Sequence, residues 1–284
     1  GQLFLGVMCN ERGGIIDDLT VYRLGEEEYM MVTNASTKDK DLNWILKAKN
    51  DKGFNVEIDD RSAKIAKLDI QGPKSEEILA KLTDVNLEVI PFYHFSKGKV
   101  NGVETIVSRS GYTGEIGFEI YFPAEEAVVI WNKLLETGKP LGLQPIGLGA
   151  RDTLRLECAM MLYGNDINEE TTPLEARYGW VVDFDHEFIG KEVLVKQKNE
   201  GLQKKLVGME MLDRGIPRHD YPIFKNGQQV GKVTSGTFAP TLQKSICLGY
   251  VSSEYKENGT EVEIQIRNKD YRAMVVPCPF YKRA

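Results

Sequence analysis

The first regularity in the chain is a pair of strand-like runs around Asn10-Glu11-Arg12-Gly13-Gly14. The double glycine supplies the positive φ angles that a tight reversal needs, so the pattern predicts an opening hairpin from Gly6 to Leu24. Side chains alternate faces along a strand. Ile16, Asp18, Thr20 and Tyr22 therefore share one face of the second run, and Leu19 and Val21 point to the other. Leu19 and Val21 suit a core, which leaves Asp18, Thr20 and Tyr22 on a face open to a ligand. A carboxylate on a rigid strand beside an aromatic hydroxyl suits proton chemistry or the gripping of an amine. The alternative is a solvated strand face with Asp17 or Asp18 bonding the turn.

Further on, Glu28 to Thr33 reads as a strand ending at Asn34, a strand-to-loop position suited to polar ligand contacts or to turn-making. Ser36 or Thr37 can cap a helix over Lys38 to Lys49. A strand from Ala63 to Ile70 runs into Gln71-Gly72-Pro73, with a helix from Lys74 to Leu82 after it. Val100 to Ser108, a loop Arg109 to Gly117, a strand Phe118 to Phe122 and a helix Ala124 to Leu135 follow. With a closing strand near Leu143, that order is a split βαβ unit. Gly111, Gly114 and Gly117 do not make a phosphate loop, because no Gly-Lys-Ser/Thr follows and the loop leads into a strand. A tight turn presenting Tyr112 and Glu119 fits better.

After Pro145, Gly147 to Glu157 opens a helix with Arg151 and Asp152 in its first turn. A cation at a helix start opposes the dipole, which implies a nearby anion: Asp152, a distant carboxylate, or a ligand's carboxylate. Thr172-Pro173-Leu174-Glu175-Ala176 reads as another helix start, and a short helix runs to Lys198. From about Gly201 the texture becomes short alternating runs broken by turns, with a hairpin signal at Asn226-Gly227. That segment predicts a separate β-barrel or sandwich.

Composition narrows the function classes. The 284 residues are 42% hydrophobic and 27% charged, enough for a substantial core. Lys and Arg number 36 against 42 Asp and Glu, a net charge of −6, which gives nucleic acid no basic surface. No apolar run approaches the roughly 20 residues of a membrane span. Cys9, Cys158, Cys247 and Cys278 lie far apart, as buried thiols of a reducing compartment do. With His94, His186 and His219 they offer no metal-ligand spacing, so no metal is expected. No targeting segment is visible, so a cytoplasmic location is expected. The chain starts at Gly1, already heading into a strand, which suggests a piece of a longer protein.

Taken in order, several stretches resemble the glycine cleavage system T-proteins, the tetrahydrofolate-dependent aminomethyltransferases. The carriers are Met8-Cys9-Asn10, Gly13-Gly14-Ile15-Ile16-Asp17-Asp18-Leu19, Asn34-Ala35, Gln71-Gly72-Pro73, and Ser108 to Glu115 with Gly117-Phe118-Glu119. Others are Gly147 to Asp152, Tyr163-Gly164, Thr172 to Glu175, Ile189-Gly190-Lys191, Thr234-Ser235-Gly236, Pro240-Thr241-Leu242 and Pro279-Phe280-Tyr281. The resemblance runs from Gly1 to Arg283. It lacks about the first fifth of the family's length, and Leu5 stands where close relatives carry a tyrosine.

The resemblance implies an α+β fold, a three-domain cloverleaf around a folate channel. A discontinuous folate-site domain would take residues 1–59 and 145–200, a split-βαβ domain 60–144, and a C-terminal barrel 201–284. It implies transfer of the one-carbon unit from the aminomethyl-lipoyl arm of the H-protein to tetrahydrofolate, giving 5,10-methylenetetrahydrofolate and ammonia. Asp18 would be the catalytic anion. Glu119 would match the pterin's two-donor edge, and Arg151 a folate carboxylate or carbonyl. Asn34 would add mixed donor and acceptor contacts, while Tyr22, Tyr112 and Tyr281 would offer ring faces and hydroxyls. Two relatives of the same fold are alternatives. A folate-dependent iron–sulfur assembly factor carries a Lys-Gly-Cys signature near Phe188 to Glu192, where this chain has no cysteine. A dimethylglycine- or sarcosine-oxidising flavoenzyme would add a flavin-binding region ahead of the match.

Overall fold

The computed structural model describes residues 1–283. The opening hairpin forms, with β1 (Leu3–Cys9) and β2 (Ile15–Arg23) joined in a three-stranded sheet to β3 (Tyr29–Val32). Its turn is held by Asn10, whose Oδ1 accepts the backbone N–H of Arg12 and of Gly14. A Cβ on Gly14 would lie 1.8 Å from the Glu169 carbonyl, so only glycine fits. α1 (Lys38–Lys52) starts after Thr37, whose hydroxyl donates to the Asn34 carbonyl instead of capping the helix.

The chain divides into two units. One holds Gly1–Leu5 with Thr20–Gly147, and the other Gly6–Leu19 with Leu148–Arg283. Both long strands of the hairpin thus contribute to each unit.

The first unit is built on a four-stranded antiparallel sheet in the order β4 (Ile65–Gln71), β7 (Gly117–Pro123), β6 (Val103–Ser108), β5 (Phe95–Val100). One face carries Ile70, Val107, Phe118, Ile120 and Phe122 and packs with α2 (Ser75–Ala80) and α3 (Ala127–Gly138) into an apolar core. The other face carries Lys67, Asp69, Tyr121, Glu119 and Ser108. The alternation of a two-faced sheet thus places the polar chemistry together. Tyr22, Leu3 and Phe95 pack with Tyr121 on this second face.

Three sequence expectations need correction. The run read as one strand from Val100 is a hairpin, because Asn101 and Gly102 take φ of 51° and 81° and reverse the chain between β5 and β6. No strand closes the unit near Leu143. Lys139–Leu141 is a single 3₁₀ turn ending at Gly142 with φ of 84°, and Leu143 instead donates its N–H to the last carbonyl of α3. The helix expected at Thr172 stops at turns. Thr172 and Glu175 do exchange side-chain-to-backbone bonds as in a capping box, but Arg177 takes φ of 66° and ends the run.

The second unit contains α4 (Leu148–Glu157), α5 (Lys191–Glu200) and a closed six-stranded barrel. The barrel strands are β8 (Lys204–Met211), β9 (Pro222–Lys225), β10 (Gln228–Ala239), β11 (Lys244–Ser252), β12 (Glu261–Ile266) and β13 (Lys269–Val276). Asn226-Gly227 turns β9 into β10 as its sequence requires. The barrel interior is filled by Val207, Met209, Ile223, Val233, Val262 and Val275. The whole is the mixed α and β fold that the resemblance implied. The four cysteines are free thiols. Among the described residues no helix is long and apolar enough to cross a membrane.

Candidate functional site

On the polar face of the first unit's sheet, Glu119 is 8% exposed and surrounded by donors. Its Oε2 accepts the hydroxyls of Ser110 at 2.6 Å, Tyr121 at 3.1 Å and Tyr22 at 3.2 Å. Its Oε1 meets the Lys67 ammonium at 2.6 Å. Burial alone would raise the Glu119 pKa, but the Lys67 charge and hydrogen bond, with the Ser110 and Tyr121 hydroxyls, outweigh it and hold the carboxyl below its ordinary value. Burial likewise pulls the Lys67 pKa down, and the charges of Asp69 and Glu119 outweigh it and raise the value. Tyr22 and Tyr121 are pushed up by burial and by the Glu119 charge, so both stay protonated donors.

The loop before β7 is shaped around this cluster. Gln71 donates from Nε2 to the Ser110 carbonyl and accepts the Thr113 hydroxyl on Oε1. A Cβ on Gly111 would fall 2.1 Å from that Gln71 oxygen, so the glycine lets the loop close over the amide. Tyr112 lies half-buried in the same loop, and Asn34 half-buried just past β3.

Tyr22 was expected on an open ligand face. It is 0% exposed, with its ring against Phe95 and Tyr121 at centroid distances of 5.4 Å each. It faces inward, with its hydroxyl on Glu119 and its ring without a free face.

In the second unit Asp18 is half-buried, and its Oδ2 accepts the Tyr178 hydroxyl at 2.9 Å. Tyr178 stands edge-on to Trp180, which is 71% exposed. Asp17, one residue earlier, is 0% exposed. Arg151 is exposed on the first turn of α4. Asp152, one of the anions weighed for Arg151, receives Arg155 at 2.6 Å. Arg155 is itself 1% exposed and also binds Asp166 at 2.7 Å, the Met160 carbonyl at 3.0 Å and the Ser235 hydroxyl at 2.9 Å. Tyr281 is half-buried, its ring 5.0 Å from the Arg283 guanidinium, which pairs with Glu157.

Within the first unit the structure thus joins Tyr22 to Glu119, with Asn34 and Tyr112 each on a loop of the same unit. The second unit holds Asp18, Arg151 and Tyr281. Sequence reasoning missed Lys67, Ser110, Tyr121 and Tyr178. The alternation of β4 and β7 could have put Lys67 and Tyr121 on the Glu119 face, whereas nothing local marks Tyr178. Among the described residues no group of three His, Cys, Asp or Glu side chains is gathered as metal ligands would be.

Comparison with known proteins places the chain in a family. The GCVT N-terminal domain profile matches residues 1–186, and that of the glycine cleavage T-protein C-terminal barrel domain matches residues 204–282. The chain is 52% identical to an aminomethyltransferase of Caldanaerobacter subterraneus over 99% of its own length and 75% of the relative's. It is 50% identical to one from Clostridium botulinum, over 97% and 75% of the two lengths. A solved structure, the glycine cleavage system aminomethyltransferase T from Bartonella henselae, superposes with a TM-score of 0.90 at 33% identity, covering 99% of this chain and 76% of that one. The chain belongs to the glycine cleavage T-protein family, a family of aminomethyltransferases.

Proposed function

We propose that this chain moves the one-carbon unit from the aminomethyl-lipoyl arm of the H-protein to tetrahydrofolate, giving 5,10-methylenetetrahydrofolate, ammonia and the dihydrolipoyl carrier, in the cytoplasm. The observation that carries the folate part is Glu119, a carboxylate kept anionic although almost wholly buried, on the polar face of a sheet. A protein holds a charge in such a place at a cost, and a donor-rich ligand edge gives it a use. The 2-amino and N3–H groups of a pterin are such an edge.

Asp18 is the catalytic group in this reading. Tyr178 fixes one of its oxygens, and the anion orients the folate amine, stabilises positive charge developing at the reacting nitrogen and passes a proton. Arg151, exposed at the start of α4, takes an acidic or carbonyl group of the folate, Asn34 adds donor and acceptor contacts, and Tyr112 and Tyr281 offer ring faces and hydroxyls. Tyr22 and Tyr121 keep Glu119 in place. Most of the remaining catalysis is positioning of a reactive substrate.

The test is calorimetric titration of tetrahydrofolate into the parent and into Glu119→Gln. Saturable binding by the parent, weakened about ten- to hundredfold in the variant, is the expected result for loss of a charge-assisted contact. No saturable binding by the parent, or equal binding by both, removes Glu119 from the folate site.

A further inference from the structure

The register of β4 against β7 sets Asp69 directly opposite Glu119 and Lys67 opposite Tyr121. Two carboxylates facing each other across a strand pair repel. Lys67 relieves that repulsion by serving both: its Nζ lies 2.6 Å from Glu119 Oε1 and 3.4 Å from Asp69 Oδ1. The two oxygens of Glu119 are held differently. Oε2 is fixed by three hydroxyls on buried side chains, Ser110, Tyr121 and Tyr22. Oε1 is held by the tip of a long, partly exposed, flexible side chain that already has a second carboxylate within reach.

We propose that Lys67 is an affinity-setting residue that exchanges partners: its ammonium passes from Glu119 to Asp69 and leaves Oε1 to the N–H edge of the ligand. The proposal rests on the folate reading of Glu119. The exchange leaves neither charge without a hydrogen-bond partner. Lys67 remains beside a carboxylate, Glu119 gains ligand donors for the one it gives up, and the hydroxyls on Oε2 do not move. In the ligand-free protein Lys67 therefore competes with the ligand, and Asp69 is the berth that makes its displacement cheap. The direction of each effect follows. Removing the competitor tightens binding, and removing the berth weakens it. Neither residue need touch the ligand.

Four proteins and tetrahydrofolate decide the matter: the parent, Lys67→Met, Asp69→Asn and the double variant, each titrated calorimetrically near pH 8. Met keeps the length of the side chain without its charge, and the three hydroxyls still hold Glu119. Lys67→Gln serves as a second, polar replacement should Met perturb folding. Lys67→Met is expected to bind about fivefold tighter and Asp69→Asn about fivefold weaker, as for a partly exposed ion pair. In the Lys67→Met background Asp69→Asn should no longer weaken binding, since the berth has no occupant. Lys67 variants that bind as the parent does, or more weakly, overturn the exchange, as does an undiminished Asp69→Asn effect in the double variant. Glu119→Gln made in the Lys67→Met background separates the two ideas. If it weakens binding while Lys67→Met alone does not tighten it, only the exchange fails. If it has no effect, the folate reading of Glu119 fails with it.

Discussion

Asp17 and Asp18 are neighbours in the chain with different surroundings. Asp17 is fully buried, whereas Asp18 is half-buried and reached by the Tyr178 hydroxyl. Asp17→Asn should therefore lower thermal stability by about 1–3 kcal/mol, the range for disturbing a buried polar group, while leaving turnover within a few-fold of the parent. A melting curve and an activity assay on the same preparation check both halves. Glu119 carries a pH signature. Its folded pKa lies below the ordinary 4.5, so its stabilisation is complete above that value and is lost as pH falls from 4.5 through the folded value. Unfolding measured between neutral pH and pH 3 should show a steeper acid loss for the parent than for Glu119→Gln. At this scale the sequence was partly legible. Alternation along β2 separated Asp18 from Asp17, but it could not show that Tyr22 points into a core made with Phe95 and Tyr121, residues far away in the chain. The Tyr178 contact joins positions 160 apart and leaves no local trace.

Elements were read best where turn chemistry and alternation agreed. Asn226-Gly227 between alternating runs marks the β9–β10 hairpin, and the barrel follows from such short runs and their breaks. The same dipeptide chemistry at Asn101-Gly102 lay inside an apolar run, and the run hid the turn. The capping residues at Thr172 and Glu175 are real, yet a left-handed Arg177 ends the segment before a helix forms. Arg155 shows what ties α4 to the barrel: a fully buried guanidinium reaching Asp166 and Ser235, the latter on β10. Arg155→Met removes one partner and leaves the Asp166 carboxylate buried. About 3–5 kcal/mol of stability should be lost, read as a fall in the denaturation midpoint. A variant as stable as the parent would show that Thr234 and the Leu162 N–H suffice for Asp166.

For the molecule as a whole, two family domains, the second a barrel, account for nearly the whole chain. Aminomethyltransferase relatives at about half identity set the chemistry within which the Asp18 and Glu119 assignments stand. A ligand that binds only the folded protein stabilises it by mass action, about 2.7 kcal/mol at a hundred times its dissociation constant. Tetrahydrofolate should accordingly raise the parent's melting temperature in a concentration-dependent way and raise that of Glu119→Gln much less. The most direct test of the account is transfer from aminomethylated H-protein to tetrahydrofolate by Asp18→Asn, which keeps the shape and removes the anion. The account predicts a fall in kcat of at least about 10²-fold, with folate affinity changed far less. Turnover like the parent's, or greater damage from Asp17→Asn than from Asp18→Asn, would contradict it.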